Sequence, residues 1–160
     1  MSELSIFEVA KKQLVSIKNR RAEHDFAFIA RYKAGIVLSG SEVKSVRKGK
    51  VNLGDAYCYI HKGELWIKNL HISEYFEASY NNHEPRALRK LLLTKKELQK
   101  LQSKIKEKGL TIVPIEMFES ERSFIKLEIA LAKGKKSFDK RDSIKEKEQK
   151  RTLDRMKVGR

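Results

Sequence analysis

Apolar and polar residues alternate with a period of two along much of the chain before residue 133, and that spacing predicts short half-buried strands. Residues 1–17 are moderately apolar and fit a short helix or an edge strand. From His24 onward, Phe26, Phe28 and Ala30 alternate with Asp25, Ala27 and Ile29 as a strand. Lys33-Ala34-Gly35 reads as a turn, followed by a short buried strand, Ile36-Val37-Leu38. Ser41 is a suitable N-cap for a short helix in which Val43 and Val46 share one face, and Gly49 ends it. Strands over residues 55–61 and 64–72 flank Lys62-Gly63, a tight-turn pair. Residues 80–85 are polar and irregular. Thr94 and Glu97 form a capping box, and Leu98, Leu101 and Ile105 follow at helical spacing until Gly109. A last hairpin pairs residues 110–118 with 123–132.

Short antiparallel strands with few helices predict a mainly β fold, a small OB-like barrel with flanking helices. Alternating parallel strand–helix units are not seen, which argues against a doubly wound sheet. The character changes after residue 132. Residues 133–160 hold twelve Lys or Arg against five Asp or Glu, and their large apolar members are Phe138, Ile144, Leu153, Met156 and Val158. The expected division is a barrel domain over 1–132 and a basic tail over 133–160, disordered when free. Residues 143–157 nevertheless favour helix by propensity, which suits a segment that orders on RNA.

Charge narrows the function. Lys and Arg number 36 against 21 Asp and Glu, a formal net charge of +15. Self-repulsion of that size is relieved by a polyanion, and nucleic acid is the first candidate. No apolar run approaches the roughly 20 residues that span a bilayer, no signal-peptide pattern opens the chain, and the single Cys58 fits a reducing cytoplasm. A cytoplasmic protein without membrane partners is expected.

Catalytic readings fail on chemistry. Gly134-Lys135-Lys136-Ser137 lacks the glycine at 129 and the Ser or Thr at 136 that a nucleotide-binding P-loop needs. His24, His61, His71 and His83 have no partners at metal-ligand spacing. Cys58 sits in an apolar strand, and Asp139 and Asp142 lie in the tail, without a rigid shell to tune them. Neither an enzyme nor a cofactor is indicated. Basic residues instead cluster at Lys18-Asn19-Arg20-Arg21, over residues 44–50, over 86–90 and in the tail, a supply of phosphate contacts. Tyr32, Tyr75, Phe76 and Tyr80 are stacking candidates, whereas Phe26, Phe28, Tyr57 and Trp66 are assigned to the core. A generic OB-type RNA-binding or ribosome-associated protein, or a polyanion-binding structural protein, would carry the same features.

Residues 19–26 (NRRAEHDF) and 34–47 (AGIVLSGSEVKSVR) are followed by Gly49-Lys50 with Asn52, Asp55 and Tyr57. Then come Arg89-Lys90-Leu91-Leu92-Leu93 and Lys133-Gly134-Lys135-Lys136, with Asp139-Lys140-Arg141 and Ile144-Lys145-Glu146. In this order the motifs resemble the SmpB family, the SsrA-binding proteins, from about residue 14 to the C-terminus. The resemblance implies an OB-type barrel, a flexible C-terminal tail and binding to the tRNA-like domain of transfer-messenger RNA (tmRNA). It implies delivery of that alanine-charged RNA to ribosomes stalled on messages lacking a usable stop codon. By the same resemblance, alanyl-tRNA synthetase and elongation factor Tu are expected to act on the same RNA. The RNA-contacting set expected here is Asn19, Arg20, Arg21, His24, Glu42, Lys44, Arg47, Lys48, Lys50, Arg89, Lys90 and Leu92. The tail set, placed by the resemblance at the small-subunit rRNA of the decoding centre and mRNA channel, is Lys133, Gly134, Lys135, Lys136, Phe138, Asp139, Lys140, Arg141, Ile144 and Met156. Two departures stand out: Lys33, where the family is usually acidic, and Phe138, where it often has Tyr or His.

Overall fold

The structure is a computed structural model that describes residues 14–78 and 82–158, with backbone alone at 137–139. The expectations for residues 1–13, for Tyr80 and for the side chains of Phe138 and Asp139 fall outside what it describes. In chain order the elements are β1 (Ser16–Lys18), α1 (Arg20–Asp25), β2 (Phe26–Ile36), α2 (Gly40–Arg47), β3 (Val51–Asn52), β4 (Tyr57–His61) and β5 (Glu64–Lys68). They continue with β6 (His71–Ile72), β7 (Arg89–Leu92), α3 (Lys95–Lys104), β8 (Leu110–Glu119), β9 (Ile125–Gly134) and α4 (Ser137–Val158).

Six strands close a ring in the order β2-β7-β5-β4-β8-β9, every pair antiparallel, with β8–β9 completing it. A closed ring leaves its member strands no free edge. β1 pairs with β8 outside the ring, and β3 with β6 forms a separate ribbon. The antiparallel order puts α2, which follows β2, at the mouth where β9 begins, and α3, which joins β7 to β8, at the opposite mouth. The expected barrel with flanking helices is present.

Two β-bulges decide which way the apolar residues point. In β2 the register against β9 steps from Phe28↔Ala132 to Ala30↔Leu131, so Ile29 is an extra residue. In β8 it steps from Pro114↔Ile129 to Glu116↔Glu128, so Ile115 is extra. Each extra residue reverses the two-residue alternation. Ala30, Tyr32, Ala34, Ile112 and Met117 therefore join the interior with Leu127, Ile129 and Leu131, while Phe26, Phe28, Val113 and Ile115 face outward with Ala130 and Ala132. That outward patch is covered by α1 through Ala22. This explains why residues 129–132 are all buried: the barrel interior takes one side and α1 the other.

Several local expectations are corrected. Residues 33–35 are no turn: β2 runs through them, because Lys33, Ala34 and Gly35 pair with Glu128, Leu127 and Lys126. Gly35 also faces Leu92 of β7, and a Cβ there would stand 3.4 Å from the Leu92 Cβ, so glycine lets the two strands close. The cap of α2 is Ser39 rather than Ser41: Glu42 Oε2 accepts the Ser39 backbone N–H at 2.8 Å in a full capping box. The strand expected over 64–72 breaks at Asn69, whose φ of 60° leaves the ladder. The last strand starts at Ile125 because Ser123, at φ 65°, belongs to the turn. It runs to Gly134, two residues past the expected domain boundary, pairing there with Phe26. α3 ends at Lys104, short of Gly109. Beyond the barrel, Ser137–Val158 form a continuous 22-residue helix, α4, in keeping with the helix propensity of residues 143–157. Tyr57 and Trp66 are not core: Tyr57 is 39% exposed and Trp66 half-buried, because their neighbours Cys58, Leu65 and Ile67 take the inward positions. α1, β3 and β7 went unpredicted.

The interior holds one large polar device. Arg89 is 3% exposed, and its guanidinium donates to Glu42 Oε1 and the Leu70 carbonyl at 2.7 Å each, to Pro85 O at 3.1 Å and to Glu84 O at 3.3 Å. Glu42 is 5% exposed, so the pair is desolvated together. Removing one partner strands the other, and Arg89→Ala should cost about 3–5 kcal/mol in denaturant unfolding. Leu101, fully buried, anchors α3 to the core; Leu101→Ala should cost about 2–5 kcal/mol, read as a lowered thermal midpoint.

Candidate nucleic-acid interface

α1 is a six-residue helix with the single apolar contact Ala22, so propensity alone would not hold it. Asn19 does. Its Oδ1 accepts the Ala22 N–H at 3.2 Å as an N-cap, and its Nδ2 donates to Pro114 O at 2.9 Å and Leu53 O at 3.1 Å. Its own N–H donates to Ile115 O at 2.7 Å. The β8 bulge thus turns carbonyls toward Asn19, and the helix is fixed at once to the barrel and to the segment following α2. Arg21 strengthens this tie through Asp55 at 2.9 Å.

Fixed in this way, α1 presents cations on its outer side, and α4 lies beside it. Lys18, Arg20 and Glu23 face Lys147, Lys150, Arg151 and Asp154 across a cleft of about 510 Å³. Five cations there meet two acids. The junction is Asp25: its carboxylate accepts from His24 Nδ1 at 2.9 Å and lies 3.4 Å from Lys140 Nζ. The hydrogen bond from His24 holds the Asp25 carboxyl below its usual range, partial burial opposes this, and Lys140 adds to the lowering. A depressed carboxyl gives up these partners as pH falls through its own pKa, so the tie is complete at neutral pH. Lys135 Nζ donates to Glu23 O at 3.2 Å, and its backbone N–H to Asp25 O at 2.9 Å.

A second cationic group sits on α2 at the barrel mouth, where Lys44, Arg47, Lys48 and Lys50 are exposed. Lys44 and Lys48 hold their ammoniums 5.4 and 4.7 Å from the centre of the Tyr75 ring. The Tyr75 hydroxyl donates to Glu77 at 2.7 Å, which raises the phenol pKa and lowers that of Glu77. Phe76 beside it is 94% exposed. Arg47 is bound to the fold, 3.4 Å from the buried Glu119 and 3.5 Å from Ser123 O. Lys33 stands over Phe118 at 5.8 Å.

The predicted residues therefore separate by location. Arg20, Arg21, His24, Lys133, Lys135, Lys136, Lys140 and Arg141 come together around α1 and the start of α4. Lys44 stands on α2, Lys48 caps its C-terminus, and Lys50 follows just beyond it. Asn19, Glu42 and Arg89 are buried and bonded within the fold, so they position the surface rather than form it. Lys90 and the 51%-exposed Leu92 lie on the outside of the barrel, where Lys90 pairs with Glu64 at 2.9 Å. Ile144 and Met156 are exposed on α4 at 41% and 67%. The sequence reading missed Lys147, Lys150 and Arg151 as partners of α1; their spacing of three and four on one helix was the available signal.

Among the described residues no cluster of His, Cys, Asp or Glu is arranged to hold a metal ion. No described helix is long and apolar enough to cross a membrane. Cys58 is buried, and burial pushes its thiol pKa far up, away from a reactive thiolate.

Comparison with known proteins identifies the family. The family model described as SmpB protein matches residues 16–158. The SsrA-binding protein of Phocaeicola vulgatus is 58% identical over 142 residues, covering 89% of this chain and 95% of the relative. That of Bacteroides thetaiotaomicron is 56% identical over 146 residues, covering 91% and 97%. A solved structure described as "tmRNA-SmpB: a journey to the center of the bacterial ribosome" superposes with a TM-score of 0.66 at 46% identity, covering 77% of this chain and 86% of that one. A barrel that buries its motif residues as braces and turns its cations outward, matched along nearly its whole length by these relatives, belongs to the SmpB family of SsrA-binding proteins.

Proposed function

We propose that this protein binds tmRNA and brings it to stalled bacterial ribosomes for trans-translation, without catalysing a reaction itself. The observation that carries this reading is the cationic outer side of α1, joined through residues 50–55 to the exposed lysines on and just after α2. Phosphate contacts from such a surface supply affinity and register without reading bases. The contact set is Arg20, Arg21, His24, Lys44, Lys48 and Lys50, with Asn19, Glu42 and Arg89 acting from beneath as positioning residues. Cytoplasmic location and shared use of the RNA by alanyl-tRNA synthetase and elongation factor Tu follow from the same reading.

The tail has a separate task in this proposal. Among the described residues α4 carries its apolar side chains Leu153, Met156 and Val158 exposed, at 58%, 67% and 85%, and is tied to the rest of the fold by polar contacts such as Lys140 with Asp25. Such a helix separates from α1 at low cost and grips ribosomal RNA in the decoding centre, with Lys140 and Arg141 on phosphates. The barrel domain is complete at Lys136, after the last backbone bond to Asp25.

Two measurements test these assignments. Arg20→Gln combined with Lys44→Gln should weaken tmRNA binding and reduce the salt slope by about one for each phosphate no longer neutralised. An unchanged slope would place the RNA elsewhere. Arg47 is unsuited to such a test, since charge reversal there would set a carboxylate against buried Glu119. Truncation after Lys136 should leave tmRNA affinity within a few-fold while abolishing tagging on stalled ribosomes. Full tagging by the truncated protein would refute the tail assignment.

A further inference from the structure

The outer face of β4, β5 and β7 carries a set of side chains that are absent from the proposed tmRNA contact set. Tyr57 and Tyr59 are two apart on β4, so both leave the barrel on the same side, while Cys58 between them points into the core. Their ring centres are 6.3 Å apart with an interplanar angle of 44°. Across the ladder Tyr59 stands opposite Trp66, and Trp66 opposite Lys90; Tyr57 stands opposite Lys68. Three aromatic rings and two lysines thus form one patch on adjacent strands, each lysine directly beside a ring.

The rings are not needed to close the core, because Cys58, Leu65, Ile67 and Leu91 already fill the inward positions of these strands. Lys90 is held only by the surface carboxylate of Glu64, both side chains being 38–45% exposed, and such a pair is weak and exchangeable. Lys68 has no ion-pair partner among the described residues.

From this arrangement we infer that the outer face of β4–β5–β7 is a second RNA-binding surface, one that takes unpaired nucleotides by stacking their bases on Tyr57, Tyr59 and Trp66 while Lys68 and Lys90 hold the phosphates. Every base offers a π-face, so strand-spaced rings accept successive bases without reading sequence, and flanking cations hold the backbone. A protein partner would favour a patch depleted in lysine at its centre. Here lysines occupy cross-strand positions beside two of the three rings, and the whole chain carries an excess of 15 positive charges. The face meets the folded-RNA surface at Tyr57, which lines one cleft with Arg21 and Asp55, and extends away from it along the ladder through Tyr59, Trp66 and Lys90. The inference rests on the chain being an RNA-binding protein, but not on which residues hold tmRNA.

Trp66 is the only tryptophan in the chain, which makes its fluorescence a local reporter for this face. Titrating the full-length protein with a short single-stranded oligoadenylate should quench Trp66 saturably. Tyr57→Ala combined with Tyr59→Ala should weaken that binding at least about tenfold, since stacking on one ring contributes roughly 1–3 kcal/mol per base. Phenylalanine at both positions should restore it. Should the alanine pair prove unstable, leucines there keep the bulk and remove the π-faces, and the same weakening is expected. Lys68→Gln should lower the salt slope by about 0.7, the value for one single-strand phosphate. Tyr59→Leu alone, two residues along β4 from Tyr57 and so further from Arg21, should weaken oligoadenylate binding while leaving tmRNA affinity unchanged, which separates failure of this inference from failure of the proposed function. Oligoadenylate binding that leaves Trp66 fluorescence unmoved would overturn the inference. So would full affinity in the leucine pair, or an equal Trp66 response to base-free polyphosphate, which would reduce the face to a charged patch.

Discussion

Arg89 and Glu42 meet inside the protein at 2.7 Å, and the direction in which α2 displays its lysines depends on that contact. The second Glu42 oxygen closes the capping box of α2, and the other donors of Arg89 gather the carbonyls of Leu70, Glu84 and Pro85. One ion pair therefore joins β7, the turn after β5, the loop before β7 and the start of the helix that displays Lys44 and Lys48. An apolar substitute of similar volume would fill the space, yet it would fix none of these directions. The chain places a costly buried charge where orientation matters.

Asn19 does the comparable work for α1, using a neutral amide instead of a charge. A helix of six residues with one buried methyl group persists because the β8 bulge offers carbonyls outside the ladder and Asn19 takes them. Cations on α1 then stand at a defined height above the barrel, and Asp25 sets where α4 begins relative to them. The basic surface is thus built from outward charges on inward hydrogen bonds, so substitutions beneath it act by displacing the cations rather than by deleting them.

Much of this was legible in the sequence, for reasons that differ by element. Thr94 and Glu97 marked α3, and Lys62-Gly63 marked a hairpin, because both are local chemistry with fixed spacing. The long β2 strand was not legible, since its glycine answers to a close approach by Leu92 more than fifty residues away. The bulges were hidden as well, and with them the outward turn of Phe26 and Phe28. Tyr57 and Trp66 were misassigned to the core because aromatic residues in strands are usually interior; only the ladder reveals that Cys58 and Ile67 hold those places. Among site residues, charge counted the basic clusters correctly, while burial of Asn19, Glu42 and Arg89 depended on distant carbonyls and carboxylates that no local pattern encodes.

Barrel closure by β9 also governs how the chain must fold. β2 finds most of its ladder in β9, with Phe26 opposite Gly134, so its partner is synthesised roughly a hundred residues later. The seam between β2 and β7 pairs at two positions and that between β4 and β8 at one, too little to hold an open sheet in register. Early segments of a growing chain consequently wait as unpaired strands, and the loop-closure entropy is overcome only when the β8–β9 hairpin forms and zips against β2. Kinetically this is a fold of high contact order, in which the last strand made is the one that commits the first.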